Sequence, residues 1–264
     1  MCGQAGVIFG KKRRRKADRQ ALGELFTQML LGCQRRGPHA TGLALVRNCG
    51  SYRLFKRPCL AEEFVTEPNY ENILEAIDNN VTALLGHTRW RTRGSEKDSR
   101  NNHPLRCGVI LGTHNGTIYN ANELFAVLGL PRFAQVDSEI IFRLADRFTP
   151  QAEINLEGFS KALRLCRGQM SAVLVSLLDP ERIIVIKGNK PLSLFYSQRH
   201  KVICYASEAG YITDVIDKQD NWQELETKPN TILEFNFKDL ENYKSRPFKF
   251  IAQQRKPLTR NSAI

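Results

Sequence analysis

Stretches in which apolar residues run together alternate, along this chain, with stretches in which they recur every three or four positions; the first kind predicts strands and the second helices. Residues 4–9 form a short apolar run and predict a strand. From Asp18 onward, Leu22, Leu25, Phe26, Met29, Leu30 and Cys33 fall at helical spacing as far as Gly37. That helix would end on Arg35 and Arg36, whose charge suits its negative pole. Strand-like runs follow at 42–47, 51–56, 81–86 and 107–114, interrupted by a helical stretch near 70–79. Helices are predicted at 120–129, 137–148 and 156–167. Four more apolar runs, 170–178, 181–187, 193–197 and 201–206, are separated by turn signals such as Asp179-Pro180 and Gly188-Asn189, and predict an antiparallel meander. Strands outnumber helices and do not alternate strictly with them, so the pattern favours a layered α+β architecture over a doubly wound one. Residues 254–264 read as a disordered tail.

Composition narrows this picture. A chain of 264 residues with 42% hydrophobic content can bury a core, as one large domain or two small ones. Its net charge of +12 gathers at Lys11–Lys16, at Arg89–Arg106 and from Lys244 onward, and would favour polyanions if it met on one face. Seven cysteines, at 2, 33, 49, 59, 107, 166 and 204, are an odd number without a CxxC pair. They indicate neither a disulfide framework nor a zinc knuckle, and a reducing cytoplasm is the expected setting. The N-terminus runs apolar then basic, the reverse of a secretory signal, and no apolar run approaches a membrane span. No GxxxxGK[ST] or GxGxxG loop is present to hold a nucleotide.

Two features of the first sixteen residues compete for the function. The run KKRRRK at 11–16 lies between a strand and a helix, where a solvated loop tolerates like charges. It could also dock an acidic partner or nucleic acid, although no aromatic residues are interleaved for single-strand stacking. Cys2 directly follows the initiator methionine. Removal of Met1 would give Cys2 a free α-amine with an ordinary pKa of about 7.7–8.0, close enough to neutral to take the thiol proton. Alternatively, Cys2 is a small apolar residue at the start of a buried strand.

Further strings decide between these readings. RGPHATGLAL at 36–45, GHTRWRTRG at 86–94, NNHP at 101–104, HNGTIYNANEL at 114–124 and VDSEII at 136–141 follow Cys2 in that order, with ASEAGYI at 206–212. Together they resemble the glutaminase domain of class-II glutamine amidotransferases, which are N-terminal nucleophile hydrolases. GHTRW is most similar to the glutamine:fructose-6-phosphate amidotransferase branch. The resemblance runs from Cys2 to about Phe235 and implies a four-layer αββα sandwich of two antiparallel sheets between helices. It divides the chain into a glutaminase domain at 1–240 and a basic C-terminal extension at 241–264, partly disordered.

The resemblance also implies roles. Cys2 would be the nucleophile, with its own α-amine as proton shuttle. Asn115 and Gly116 would hold the oxyanion through a side-chain amide and an adjacent backbone N–H. Arg89 would bind the α-carboxylate of L-glutamine and Asp137 its α-ammonium group, while VDSEII equally reads as a helix N-cap. Thr92 would donate a hydrogen bond to the substrate, Trp90 would form a wall, and His103 would support the site. His87 and His114 would orient loops. No metal and no cofactor is implied.

Where the family often carries Ala and His, this chain has Arg91 and Arg93, and His39 stands where Asp is usual. About 30 residues follow the resemblance, too few for a second catalytic domain. The expectation is therefore a glutaminase subunit that gives glutamate and ammonia for a separate acceptor enzyme. The alternatives are an amidohydrolase of another γ-glutamyl amide, or a non-catalytic basic binding module on the same fold.

Overall fold

The computed structural model describes residues 1–253. The predicted tail at 254–264 lies outside the described residues. In chain order the first elements are β1 (Gly3–Phe9), α1 (Lys16–Gly32), β2 (Ala40–Arg47), β3 (Tyr52–Arg57), α2 (Ala61–Phe64), α3 (Pro68–Glu75) and β4 (Val81–Arg89). There follow β5 (Leu105–Cys107), β6 (Ile110–Ile118), α4 (Ala121–Leu128), α5 (Glu139–Arg147), α6 (Leu156–Leu163), β7 (Arg167–Ser176) and β8 (Asp179–Lys187). The last are β9 (Ser193–Ser197), β10 (Val202–Ala206), α7 (Gly210–Thr213), β11 (Trp222–Glu224), β12 (Thr231–Asn236), β13 (Asp239–Pro247) and β14 (Ile251–Ala252).

These strands make two sheets. One has the order β11-β9-β10-β1-β4-β2-β3, all antiparallel, and the other β13-β12-β8-β7-β6-β5, with β14 added in parallel to β7. Between the sheets lies an apolar layer in which Ile8, Ala44 and Leu85 of the first meet Leu111, Val173 and Val185 of the second. The other face of the first sheet is covered by α1 through Leu22, Phe26, Met29 and Leu30, together with Phe64 and Tyr70. The other face of the second sheet is covered by α4, α5 and α6, through Leu124, Ile140, Ile141, Leu144 and Phe159 among others. Each sheet is thus buried on both faces, and the α+β class and the αββα layering are as expected.

Three element predictions need correction. The helix expected to run from Asp18 to Gly37 is α-helical only to Gly32, and Cys33–Arg36 form a 3-10 turn. That tightening lets the Arg36 side chain leave the helix axis and reach Cys2. The run 107–114 is two strands, because Gly108 at φ +58 turns the chain between β5 and β6. The four-strand meander is two hairpins, β7–β8 in one sheet and β9–β10 in the other. Strands β12 and β13 extend the second sheet, so that regular pairing runs through residue 240.

The basic run is not uniformly solvated. Arg14 is 4% exposed. Its guanidinium donates to the carbonyls of Gly10 (3.1 Å), His200 (2.8 Å) and Lys201 (2.9 Å), joining the β1–α1 connection to the β9–β10 turn. Lys11, Lys12, Arg13, Arg15 and Lys16 are exposed around it.

Candidate active site

Cys2 sits at the head of β1, in the middle of its sheet, where Gly3 is paired with Thr88 of β4. The strand pairing brings the β4 exit against it: the Trp90 N–H donates to Cys2 Sγ at 3.2 Å. From the 3-10 turn, Arg36 Nε donates to the Cys2 carbonyl at 2.9 Å, and its Nη1 pairs with Glu208. Burial pushes the Cys2 thiol up from its ordinary value, and the Asp137 carboxylate adds to this. The Trp90 N–H, the N-terminal ammonium and Arg89 act the other way by favouring the thiolate. Cys2 is therefore held as a thiol, which would need a base to become a thiolate.

Asn115 and Gly116 arrive from β6 of the opposite sheet. Asn115 is buried, and its Nδ2 donates to Ser207 Oγ at 2.7 Å, while the Gln4 N–H donates to the same oxygen at 2.8 Å. Ser207 thereby fixes the amide plane, and an amide nitrogen carries a second N–H for a further acceptor. Gly116 has φ +140, and a Cβ built there would lie 1.9 Å from the Gln169 carbonyl oxygen. Only glycine can hold the strand in this conformation so close to β7. Behind these two, His114 bonds Ser138 Oγ through Nδ1 (2.8 Å) and the Gln169 carbonyl through Nε2 (3.3 Å), and His87 Nε2 bonds the His114 carbonyl (3.2 Å).

A cavity of about 230 Å³ opens on Cys2. Of the expected site residues, Cys2, Trp90, Thr92, Asn115 and Gly116 line it. The other three, Arg89, Asp137 and His103, are buried and do not line it. Arg89 is buried, and its guanidinium donates to Asn102 Oδ1 (2.7 Å), to the Gly94 carbonyl (2.8 Å) and to the Arg93 carbonyl, holding the loop that carries Trp90 and Thr92. Asp137 precedes α5, and its Oδ2 accepts from the Ile118 N–H at 2.6 Å. His103 is buried against His87, with ring centroids 4.3 Å apart, and neither of its ring nitrogens has a partner among the described residues. It is placed in the core beneath the site, away from the cavity surface.

The structure adds residues that the sequence did not point to. Arg36, Tyr119, Gln169 and Lys190 line the cavity, and Met1 also lies in it. Ser207 falls inside the string ASEAGYI, where it read as part of a strand-to-helix junction; the approach of β10 to β1 gives it its role. Lys190 is a single lysine in a turn and has no local signal. Among the described residues no group of three or more His, Cys, Asp or Glu could hold a metal ion, and no helix is long and apolar enough to cross a membrane. A wider cleft of about 660 Å³ beside the Arg89-held loop contains Arg93, Arg100 and Arg132 but no nucleophile.

No family model matches the chain. It is 29% identical over 213 residues to glutamine–fructose-6-phosphate aminotransferase [isomerizing] of Staphylococcus epidermidis, covering 79% of this chain and 32% of the relative. It is 29% identical over 167 residues to the enzyme of the same name from Streptococcus pneumoniae, covering 61% of this chain and 27% of the relative. The chain thus spans about a third of the length of the curated relatives it matches. Among solved structures it matches the glutamine phosphoribosylpyrophosphate amidotransferase of B. subtilis with a TM-score of 0.68 at 21% identity, over 94% of this chain and 49% of the other. A structure described as the allosteric regulatory enzyme of purine biosynthesis matches with a TM-score of 0.67 at 20% identity, over 94% of this chain and 49% of the other. The resemblance to glutamine amidotransferases read from the motifs is borne out by these relatives, and the fold is the one that the phosphoribosylpyrophosphate amidotransferase structure has over 94% of this chain.

Proposed function

We propose that this chain, homologous to glutamine–fructose-6-phosphate aminotransferases over most of its length, hydrolyses the side-chain amide of L-glutamine through a Cys2 thioester and supplies the ammonia to an acceptor enzyme unit. The observation that carries the proposal is the convergence of Cys2 from one sheet with Asn115 and Gly116 from the other on a single cavity. Met1 lines that cavity, and its removal would free both the space beside Cys2 and the Cys2 α-amine.

In the proposed reaction, the α-amine takes the Cys2 thiol proton and the thiolate attacks the amide carbon. The carbonyl π electrons move to oxygen, and the resulting anion accepts hydrogen bonds from Asn115 Nδ2 and the Gly116 N–H. Collapse breaks the C–N bond as the α-ammonium returns its proton to the leaving nitrogen, which departs as ammonia. Water then adds to the thioester with the same amine as base, releasing glutamate and restoring the thiol. One glutamine and one water give one glutamate and one ammonia.

Asp137 and Arg89 are assigned to the α-ammonium and α-carboxylate groups of glutamine. Arg89 has two ways to serve: directly, through the guanidinium N–H groups not used by the loop, or by holding Trp90 and Thr92 in place. Thr92 donates a hydrogen bond to the substrate and Trp90 walls the pocket. His103 supports the site from beneath through His87. All seven cysteines are free, which suits the cytoplasm as the setting.

The test is glutamate release by a chain whose mass shows that Met1 is gone. The proposal expects turnover that Cys2→Ala abolishes. Turnover that survives the substitution would remove Cys2 from the mechanism.

A further inference from the structure

Lys190 projects into the Cys2 cavity from the Gly188–Lys190 turn between β8 and β9. The turn is held firmly. Asn189 Oδ1 accepts from the Met170 N–H at 3.0 Å, Asn189 Nδ2 donates to the Gly168 carbonyl at 3.3 Å, and the Lys190 N–H donates to the Met170 carbonyl at 3.3 Å. The Lys190 side chain is half-buried. Its Nζ lies 3.6 Å from Met1 Sδ and has no carboxylate partner among the described residues. Covalent geometry keeps that sulfur within about 6 Å of the Cys2 nitrogen. The ammonium therefore lines the same cavity as Cys2, next to the space that Met1 fills.

The charges around this place do not cancel Lys190. Arg36, from the 3-10 turn, approaches the Cys2 carbonyl but is paired with Glu208. Arg89 at the end of β4 and Asp137 before α5 bear on Cys2 with opposite signs. Among the described residues neither Lys190 nor Arg89 is ion-paired with a carboxylate, and of the two only Lys190 lines the cavity. Nor does the turn need this side chain, because the Lys190 backbone and Asn189 already fix it.

Resting on the proposed glutaminase reading, we propose that Lys190 is a positioning residue whose fixed charge keeps the Cys2 α-amine in its uncharged, proton-accepting form near neutral pH. A like charge close by disfavours a second ammonium, as it does for nucleophilic lysines set next to another cation. At the N-terminal amine of the unprocessed chain, burial lowers the pKa most, Cys2 opposes this, and the charges of Arg36 and then Lys190 act with burial.

The experiment compares wild type, Lys190→Gln and Lys190→Arg, each prepared to begin at Cys2 and verified by intact mass. The acid limb of kcat/KM for glutamine reports protonation of the free enzyme's base. Lys190→Gln is expected to move that limb upward by about 0.5–1 pH unit. Activity should fall about three- to tenfold below neutrality and return to the wild-type level at alkaline pH, with Lys190→Arg restoring the wild-type limb. A second readout is independent of turnover: the Cys2 α-carbon chemical shift in isotope-labelled protein follows the amine itself. An upward shift of that titration in Lys190→Gln supports the proposal even if no glutamate is released, an outcome that would count against the glutaminase reading alone. An unchanged amine titration, or a higher KM with an unmoved acid limb, would overturn it and make Lys190 a substrate contact instead.

Discussion

Cys2, Asn115 and Gly116 are each expected to fail differently when altered. Cys2→Ala should abolish glutamate release while changing the unfolding free energy by no more than about 0.5 kcal/mol, because the residue is half-buried beside an open cavity and alanine fits the same place before β1. Asn115→Ala removes one of the two proposed oxyanion donors and should lower kcat about 100- to 1000-fold, with the KM for glutamine nearly unchanged. Gly116→Ala is a folding lesion, since its Cβ would lie 1.9 Å from the Gln169 carbonyl. Its loss of activity should therefore come with a urea midpoint lowered well beyond that of Asn115→Ala, which loses one buried hydrogen bond. That all three meet at one cavity agrees with the sequence reading, in which Asn115 and Gly116 sit in the string HNGTIYNANEL and Cys2 takes its meaning from the strings that follow it. Ser207 and Lys190 were not legible there. A serine after a strand and a lysine in a turn acquire meaning only when β10 pairs with β1 and the β8–β9 turn packs against β7. Arg89 and His103 were legible as residues of the site but not as to position, since nothing local shows whether a polar side chain faces a cavity or supports the wall behind it.

At the level of elements, the connection between β1 and α1 combines a structural residue with exposed ones. Arg14 ties this connection to the β9–β10 turn, and burial lowers its pKa to about 10. Arg14→Ala strands several buried carbonyls and should cost about 2 kcal/mol in urea unfolding, whereas Arg13→Ala should cost no more than about 0.5 kcal/mol. Equal costs at the two positions would contradict the role given to Arg14. A run of six basic residues gives no hint of which one is buried. The strands and helices were largely legible because their apolar runs are long. Their assignment to sheets was not: both sheets are covered on both faces, so strands such as β8 and β10 read as continuous apolar runs without the alternation that would show a solvent side.

Across the whole molecule, the buried histidines tie stability to pH. Burial lowers His87 to about 3 and also pushes His103 and His114 below their ordinary value. In the unfolded chain they titrate near 6.5, so below that pH the unfolded state binds more protons than the folded one. Their contribution is complete above about pH 6.5 and is lost as pH falls from there toward the folded values. The urea midpoint should therefore drop between about pH 6.5 and 4.5, before the carboxylates begin to titrate. His103→Phe, which removes a ring without polar partners among the described residues, should make that drop shallower; a flat midpoint over this range would contradict the assignment. The layered fold gives these effects a common frame, with Cys2, the proposed nucleophile, on one sheet and Asn115 and Gly116, the proposed oxyanion donors, on the other. The measurement that tests the central claim most directly is the intact mass of the processed chain before and after incubation with 6-diazo-5-oxonorleucine, an alkylating analogue of glutamine. The predicted result is a chain lacking Met1 that gains a single adduct, absent in Cys2→Ala. A chain with Cys2 exposed that stays unlabelled, or that labels equally after Cys2→Ala, would contradict a glutamine site built on this cysteine.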